Sequence, residues 1–188
     1  TAAMPRPLGL TPDDIPADLV EKERKFRIEQ AIEKARRRNQ AVAVMFCDLD
    51  GFKAVNDAHG HDVGDSCLVA MANHMRNVVP EGVQCARLGG EEFGILFPQG
   101  QLGDVQGIVD QICAGIDVAV NRNDIIRITA SAGILAVDRD IAFQRAFQLT
   151  DAALYQAKAA GRAQYAMAHV TGFSDTAQGG YFSKRVTA

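Results

Sequence analysis

Four carboxylate side chains occupy two short stretches of this chain. Asp48 and Asp50 follow an apolar run, and Glu91 and Glu92 follow a pair of glycines. Carboxylate oxygens are the hard ligands that Mg²⁺ prefers, and Mg²⁺ usually bridges one or two carboxylates to the phosphates of a substrate. If the fold brings these side chains together, the pattern indicates metal-assisted chemistry on a phosphate-containing substrate.

Residues near the carboxylates suit a nucleotide. Gly89 and Gly90 carry no side chain that would stop a nucleotide from approaching the backbone. Lys53 offers a point charge to phosphates. Asn56 and Asp65 offer an amide and a carboxylate, and a carboxylate accepts hydrogen bonds from a purine edge that carries donors at N1 and N2. Asp65 therefore favours guanine over adenine.

Each of these pieces, taken alone, also has an ordinary structural explanation. A glycine pair is usually only a turn, an aspartate after a strand usually caps a loop, and Lys53 is equally well read as a solvated charge. The four histidines have no spacing typical of metal ligands; they are His59, His61, His74 and His169. The functional reading therefore depends on the joint pattern.

The elements that must position these residues can be predicted from apolar spacing. Residues 41–47 form an almost wholly apolar run, which predicts a strand buried on both faces with Asp48 at its end. Apolar residues at helical spacing predict a helix over 61–79, which Pro80 and Gly82 end. Residues 83–88 and 93–97 predict a hairpin that turns at Gly89-Gly90.

In the rest of the chain, predicted helices also alternate with predicted strands. Periodicity predicts helices over about 15–38, 102–120 and 141–160, β structure over 125–137 and a last strand over 164–168. This alternation is typical of an α/β domain. Residues 1–15 and 169–188 lack periodic apolar residues, so we expect a loose lead-in, one domain over 16–168, and a tail or linker.

Composition narrows the class of protein. The net charge of −3 argues against a broad grip on nucleic acid or anionic lipid, and no apolar run reaches the ~18 residues of a membrane span. The four cysteines lack close pairing, which is typical of reduced thiols in the cytoplasm. We expect a soluble cytoplasmic segment that contacts neither nucleic acid nor membrane. Because it opens on Thr1 rather than on an initiator Met, we also expect a piece of a longer protein with sensor or effector domains.

Four motifs occur in one order along the chain. Residues 48–65 closely resemble D-x-D-x-F-K-x-x-N-D-x-x-G-H-x-x-G-D, and residues 87–93 read R-L-G-G-E-E-F. Residues 129–133 are similar to T-x-S-x-G, and residues 151–162 to D-x-A-L-Y-x-A-K-x-x-G-R. Over about 41–168 the chain therefore resembles the GGDEF family of diguanylate cyclases, in the Glu variant of the signature turn.

This resemblance implies a fold and an activity. The fold would be α/β (α+β), with a central, mostly antiparallel sheet of about five strands wrapped by helices, related to the palm of adenylyl cyclases and polymerases. The activity would be the condensation of two GTP into cyclic di-GMP and two pyrophosphates. One domain of this family holds one GTP, so catalysis implies a homodimer.

The resemblance also assigns roles to single residues. Asp48, the backbone carbonyl of Leu49 and Glu91 would hold Mg²⁺, with Mn²⁺ as an alternative, and Glu92 would assist proton removal. Asn56, His61 and Asp65 match the positions that recognise guanosine. The remaining substrate contacts would be a ring, two turn glycines and three cations that face the triphosphate, namely Phe52, Gly89, Gly90, Lys53, Lys158 and Arg162.

Two departures from the family pattern bear on regulation. Pro80 and Val83 stand where many members carry the Arg and Asp of an inhibitory R-x-x-D site, which predicts no product inhibition through that site. Residues 17–24 replace the family's D-x-L-T-G-L-x-N-R segment. Two alternatives stay open, a weak or silent GTP-binding regulatory module and a cyclase that makes a mixed cyclic dinucleotide, against which Asp65 argues.

Overall fold

The structure, a computed structural model, describes residues 26, 28–34, 37–38, 40–120, 124–137 and 141–168. Residues 28–34 are helical. The elements that follow are β1 (Val42–Leu49), α1 (Phe52–His59), α2 (His61–Val78), β2 (Gln84–Gly89), β3 (Glu92–Pro98), a 3₁₀ helix (Gln99–Asp104), α3 (Val105–Ala114), β4 (Ile116–Ala119), β5 (Ile125–Ile128), β6 (Ala130–Val137), α4 (Phe143–Ala159) and β7 (Tyr165–Ala168).

Five strands form the main sheet in the order β2-β3-β1-β6-β7, and β4 and β5 form a separate two-stranded sheet. Strand β1 pairs antiparallel with both β3 and β6, β2 pairs antiparallel with β3, and β7 runs parallel to β6. The predicted fold class is therefore confirmed, a mixed α/β domain with a mostly antiparallel sheet of five strands.

The central position of β1 follows from its sequence. All eight of its residues are buried, and successive side chains of a strand point to opposite faces of the sheet. Met45 and Cys47 join the apolar cluster that contains residues of α2 and α3, whereas Val44 and Phe46 join the cluster that contains residues of α4. A strand that is apolar on both faces needs a helical layer on each side, which this order of elements supplies.

Three predictions need correction. β1 runs to Leu49, two residues beyond the predicted strand, because Asp48 remains paired with both neighbouring strands. Helix α1 was not predicted at all. The helix expected over 102–120 is wrong in its second half, because Gly115 adopts φ 75° after α3 and the chain continues as β4. A side chain at Gly115 would collide with the Ile128 carbonyl, so only glycine fits there.

The other helix and strand predictions are confirmed where the structure describes them. The helices expected over 61–79 and 141–160 appear as α2 and α4, and the strand over 164–168 as β7. The helix expected over 15–38 is confirmed at residues 28–34. The expected lead-in, the substituted segment 17–24 and the tail lie outside the described residues, and the limits 16–168 stay a prediction. None of the described helices is long and apolar enough to cross a membrane.

Candidate functional site

Strand pairing and a backbone hydrogen bond join the end of β1 to the β2–β3 turn. Asp48 lies opposite Glu92 in the antiparallel register, and the Leu49 N–H donates to the Glu91 carbonyl at 3.3 Å. The turn residues are Gly90 and Glu91, since Gly89 belongs to β2 and pairs with Glu92. The predicted hairpin is confirmed, but its turn lies one residue later than expected. Only Gly90 supplies a positive φ, at 44°.

Two carboxylates and one ammonium meet at this junction. Asp48 is 8 % exposed, and its Oδ2 lies 3.0 Å from Nζ of the half-buried Lys158 on α4. Burial raises the pKa of the Glu91 carboxyl, the negative charge of Asp48 raises it further, and Lys158 opposes the rise. The structure thus brings together three predicted site residues from β1, the turn and α4.

The donor set at this junction suits a divalent cation. Asp48 and Glu91 repel each other, and a hard cation between two carboxylates would remove that repulsion. Within the described residues, no group of three or more His, Cys, Asp or Glu side chains could hold a metal. A cation bound here would therefore complete its shell with backbone carbonyls, water or phosphate, as Mg²⁺ commonly does.

Asp50 takes a different position from the other carboxylates. Its Oδ1 accepts a hydrogen bond from Ser131 Oγ at 2.7 Å, and its Oδ2 accepts from Thr129 Oγ1 at 2.8 Å and from the Ala163 N–H at 2.9 Å. Sequence reasoning had allowed four carboxylates to converge, but Asp50 instead points to β6 and the turn after α4. The i, i+2 spacing of Thr129 and Ser131, which places both side chains on one side of an extended chain, was the available signal.

Helices α1 and α2 form a corner that carries the predicted guanine-binding residues. Asn56 lies against Gly64 so closely that any side chain at 64 would collide with the Asn56 Oδ1. Within the described part of the chain, this buried Oδ1 has no hydrogen-bond partner. His61 and Asp65 are exposed and four residues apart on α2, so they share one helix face. Phe52 is only 7 % exposed and packs beneath this corner.

The remaining predicted residues lie beside the junction of β1 with the β2–β3 turn or beside the corner formed by α1 and α2. Lys53 is exposed in the first turn of α1, and Glu92 is exposed at the start of β3. Arg162 is exposed in the turn after α4 and has a positive φ of 64°. Its backbone N–H donates to the Ala157 carbonyl at 3.1 Å, which ties that turn to the end of α4.

Sequence reasoning missed why α4 sits so close to the sheet. A side chain at Gly133 on β6 would collide with the backbone of α4 at Thr150 and Leu154. The T-x-S-x-G motif therefore has a structural meaning that resemblance alone did not give. Two hydroxyls donate to Asp50, and the glycine admits the helix that carries Lys158.

Comparisons with known proteins point to one family. The family model "Diguanylate cyclase, GGDEF domain" matches residues 24–164. The bifunctional diguanylate cyclase/cyclic di-GMP phosphodiesterase MucR of Pseudomonas aeruginosa is 39% identical over 142 residues, which cover 74% of this chain and 21% of that protein. The diguanylate cyclase DgcP of the same organism is 34% identical over 138 residues, which cover 72% of this chain and 21% of that protein. This chain thus spans about a fifth of the length of these two relatives.

Solved structures show the same architecture. The diguanylate cyclase SiaD of Pseudomonas aeruginosa, solved in complex with its activator SiaC, superposes with a TM-score of 0.72 at 32% identity, covering 79% of this chain and 58% of that one. The active GGEEF domain of a diguanylate cyclase from Vibrio cholerae superposes with a TM-score of 0.69 at 27% identity, covering 80% of this chain and 97% of that one.

Proposed function

The chain belongs to the GGDEF family of diguanylate cyclases, and from this premise we propose that it condenses two molecules of GTP into cyclic di-GMP, releasing two pyrophosphates. One observation carries the proposal. The fold holds the carboxylates of Asp48 and Glu91 together beside the Lys158 ammonium, at the junction of the central strand and the signature turn. Such a site suits a metal-bound triphosphate.

The metal would be Mg²⁺, with Mn²⁺ as an alternative. Asp48, the Leu49 carbonyl and Glu91 would hold it. Bound there, the ion would polarise the α-phosphate and favour ionisation of the attacking 3′-hydroxyl. Glu92, exposed at the start of β3 opposite Asp48, would accept the proton.

Three cations of the chain would face the triphosphate. Lys158 already neutralises Asp48, and Lys53 and Arg162 are exposed in the first turn of α1 and in the turn after α4. Positive charge placed there would offset the charge that develops on the leaving pyrophosphate. Gly89 and Gly90 would leave the signature turn open to the nucleotide, because neither carries a side chain.

Guanine recognition would fall to the α1–α2 corner. The buried Oδ1 of Asn56 is an acceptor without a partner in the described structure, and Asp65 adds an exposed carboxylate on α2. Guanine presents donors at N1 and N2, which adenine does not, so two acceptors select guanine. His61 shares its helix face with Asp65 and would contact the guanosine part, while Phe52 would support the corner from below.

The active form would be a homodimer. Each domain carries one such site, and each 3′-oxygen must attack the α-phosphate of the other nucleotide. Two copies that face each other across a two-fold axis make both attacks equivalent, and holding the two nucleotides together supplies the proximity that catalysis needs. Because Pro80 and Val83 lack the charges of the inhibitory site, the product would not inhibit the enzyme there.

The domain would work in the cytoplasm as part of a larger signalling protein. The length of the relatives MucR and DgcP supports the second point, and the structure of the diguanylate cyclase SiaD in complex with its activator SiaC supports a protein partner for the larger protein. The four free cysteines support a reducing compartment; they are Cys47, Cys67, Cys85 and Cys113. Neither nucleic acid nor the membrane would contact this segment.

The proposal is tested by incubating the purified protein with GTP and Mg²⁺ and resolving the nucleotides by chromatography. Cyclic di-GMP and pyrophosphate should appear in a ratio of one to two. The rate per protomer should rise with protein concentration in the range where monomers pair. If GTP binds but no cyclic di-GMP forms at any protein concentration, the chain is instead the silent GTP-binding module.

A further inference from the structure

We propose that Asp50 is a positioning residue for the triphosphate cations. Its carboxylate holds the turn at residues 161–163 against the ends of β1 and β6, and this contact fixes where Lys158 and Arg162 stand relative to Asp48. The inference rests on the proposed function for the identity of the ligand, a nucleoside triphosphate.

The turn after α4 has an unusual backbone. Gly161, Arg162 and Ala163 have φ of 120°, 64° and 50°, three positive values in succession. Residues other than glycine seldom adopt positive φ, because Cβ then crowds the neighbouring carbonyl oxygen. Such a conformation persists where surrounding contacts hold it. The Ala163 N–H, which donates to Asp50 Oδ2 at 2.9 Å, makes one such contact.

Asp50 is itself firmly anchored. Its backbone N–H donates to the Thr129 carbonyl at 2.9 Å, while the Thr129 and Ser131 hydroxyls donate to the two carboxylate oxygens. Hydrogen bonds to an ionised carboxylate are stronger than those between neutral groups. Asp50 therefore joins three segments that are distant in sequence, and both of its oxygens are already engaged, unlike those of a residue awaiting a metal.

The contact made by Asp50 affects the positions of the cations at the end of α4. Lys158 and Arg162 are four residues apart on either side of the helix end, and the turn held by Asp50 begins at Gly161, after the helix cap at Ala160. Gly133 lets the middle of α4 pack against β6, and the Arg162 N–H ties the turn to the end of α4. Asp50 ties the same turn to the ends of β1 and β6. Loss of this carboxylate should loosen contacts to the β- and γ-phosphates and leave the guanine corner on α1 and α2 unchanged.

The test measures binding of 3′-deoxy-GTP, which cannot condense, and of GMP, both with Mg²⁺. Asp50→Ala should weaken 3′-deoxy-GTP binding by about tenfold, the loss expected for misplaced charge-assisted contacts, and GMP binding by less than about twofold. Asp50→Asn keeps an acceptor for the Ala163 N–H and should stay within about threefold of the wild type. Asp117→Ala, which removes a surface carboxylate paired with Arg127 on the separate β4–β5 sheet, is the matched control.

A second readout does not depend on nucleotide. Hydrogen exchange of the Ala163 amide should accelerate in Asp50→Ala and stay slow in Asp50→Asn and Asp117→Ala. Thr129→Val, which removes one donor and keeps the shape of the side chain, should shift both readouts in the same direction by a smaller amount. Thr129→Val replaces Asp50→Ala as the test variant if Asp50→Ala does not fold. Ala163→Gly, in which positive φ costs nothing, should restore part of the binding that Asp50→Ala loses.

The outcomes separate the two proposals. If the wild type makes no cyclic di-GMP but Asp50→Ala still loses 3′-deoxy-GTP binding selectively, the proposed activity fails and the positioning role stands. If the wild type condenses GTP, but Asp50→Ala and Thr129→Val leave both the nucleotide preference and Ala163 exchange unchanged, the positioning role is overturned. Equal loss of 3′-deoxy-GTP and GMP binding in these variants would also overturn it. Abolished binding in Asp50→Asn would mark the carboxylate as a direct ligand instead.

Discussion

The Lys158 ammonium lies 3.0 Å from Oδ2 of Asp48, and this ion pair joins the end of α4 to the end of β1. Glu91 lies within the field of both charges, which act on its pKa in opposite directions. In this structure one ammonium therefore faces two carboxylates. The excess negative charge suits a divalent cation that would arrive with the triphosphate.

The ionised Glu91 should cost stability when no metal is present. Burial and Asp48 raise its pKa above the ordinary value of 4.5, so the folded state binds the proton more tightly than the unfolded state does. Stability attributable to this group is therefore lost as pH rises. In EDTA at pH 7, Glu91→Gln should raise the melting temperature by about 1–3 °C. The gain should shrink toward pH 4.5.

Differential scanning calorimetry from pH 7 to 4.5 checks this prediction. Glu29→Gln, which removes an exposed carboxylate on the helical segment 28–34, is the control and should leave the melting temperature unchanged. A Glu91→Gln variant that is less stable than the wild type at pH 7 would contradict the electrostatic account of this junction.

The contact of Gly64 with Asn56 should control affinity for GTP. A methyl group at 64 would collide with the Asn56 Oδ1 and turn the amide away from the nucleotide. Gly64→Ala and Asn56→Ala should each raise KM for GTP by about tenfold and change kcat less. The double variant should have the same KM as either single variant, because both substitutions act through the Asn56 amide. Asn73→Ala, on the exposed side of α2, is the control. Additive losses in the double variant would argue against a shared cause.

The close approach of α4 to β6 should make Gly133 indispensable. Gly133→Ala places a methyl group against the backbone at Thr150 and Leu154, where no side chain can give way. We expect a loss of about 3 kcal/mol in the free energy of unfolding, the upper end for overpacking. Gly103→Ala, where a methyl group would meet nothing within 4 Å, should change it by less than about 0.5 kcal/mol. Urea denaturation measures both, and equal effects would refute the packing argument.

The product should not inhibit the enzyme through residues 80–83. Pro80 and Val83 lie between α2 and β2 and carry no charge that could hold the phosphates of a product dimer. Initial rates with and without added cyclic di-GMP should agree within about twofold. Inhibition that disappears when residues 80–83 are changed would show that an uncharged site still binds the product.

The sequence predicted the strands beside the site for a clear physical reason. An uninterrupted apolar run predicted β1 with Asp48 near its end, and the glycine pair predicted the hairpin that carries Glu91. The choice of Asp48 and Glu91 as metal ligands came from the family resemblance and stays a prediction. Helix α1 escaped prediction because it has only eight residues and a single buried one, Phe52, so its apolar periodicity is too short to detect. The break at Gly115 escaped because apolar residues continue on both sides of it.

Contacts between residues that are far apart in the chain could not be predicted from the spacing of residue types. Asp50 meets Ser131 and Ala163 across 81 and 113 residues of chain, and no local pattern encodes such a meeting. The ion pair between Lys158 and Asp48 is of the same kind. Resemblance supplied the identity of the motifs, but only the structure shows that T-x-S-x-G supports Asp50 and lets α4 pack against β6.

The central claim is that Asp48 and Glu91 form the metal site at which GTP is condensed. Its most direct test is the rate of cyclic di-GMP formation by Glu91→Gln at saturating GTP and Mg²⁺, compared with the wild type and with the Glu29→Gln control. Glu91→Gln should be slower by at least about a hundredfold while remaining folded, and Glu29→Gln should match the wild type. Cyclic di-GMP formation at the wild-type rate in Glu91→Gln would contradict the claim.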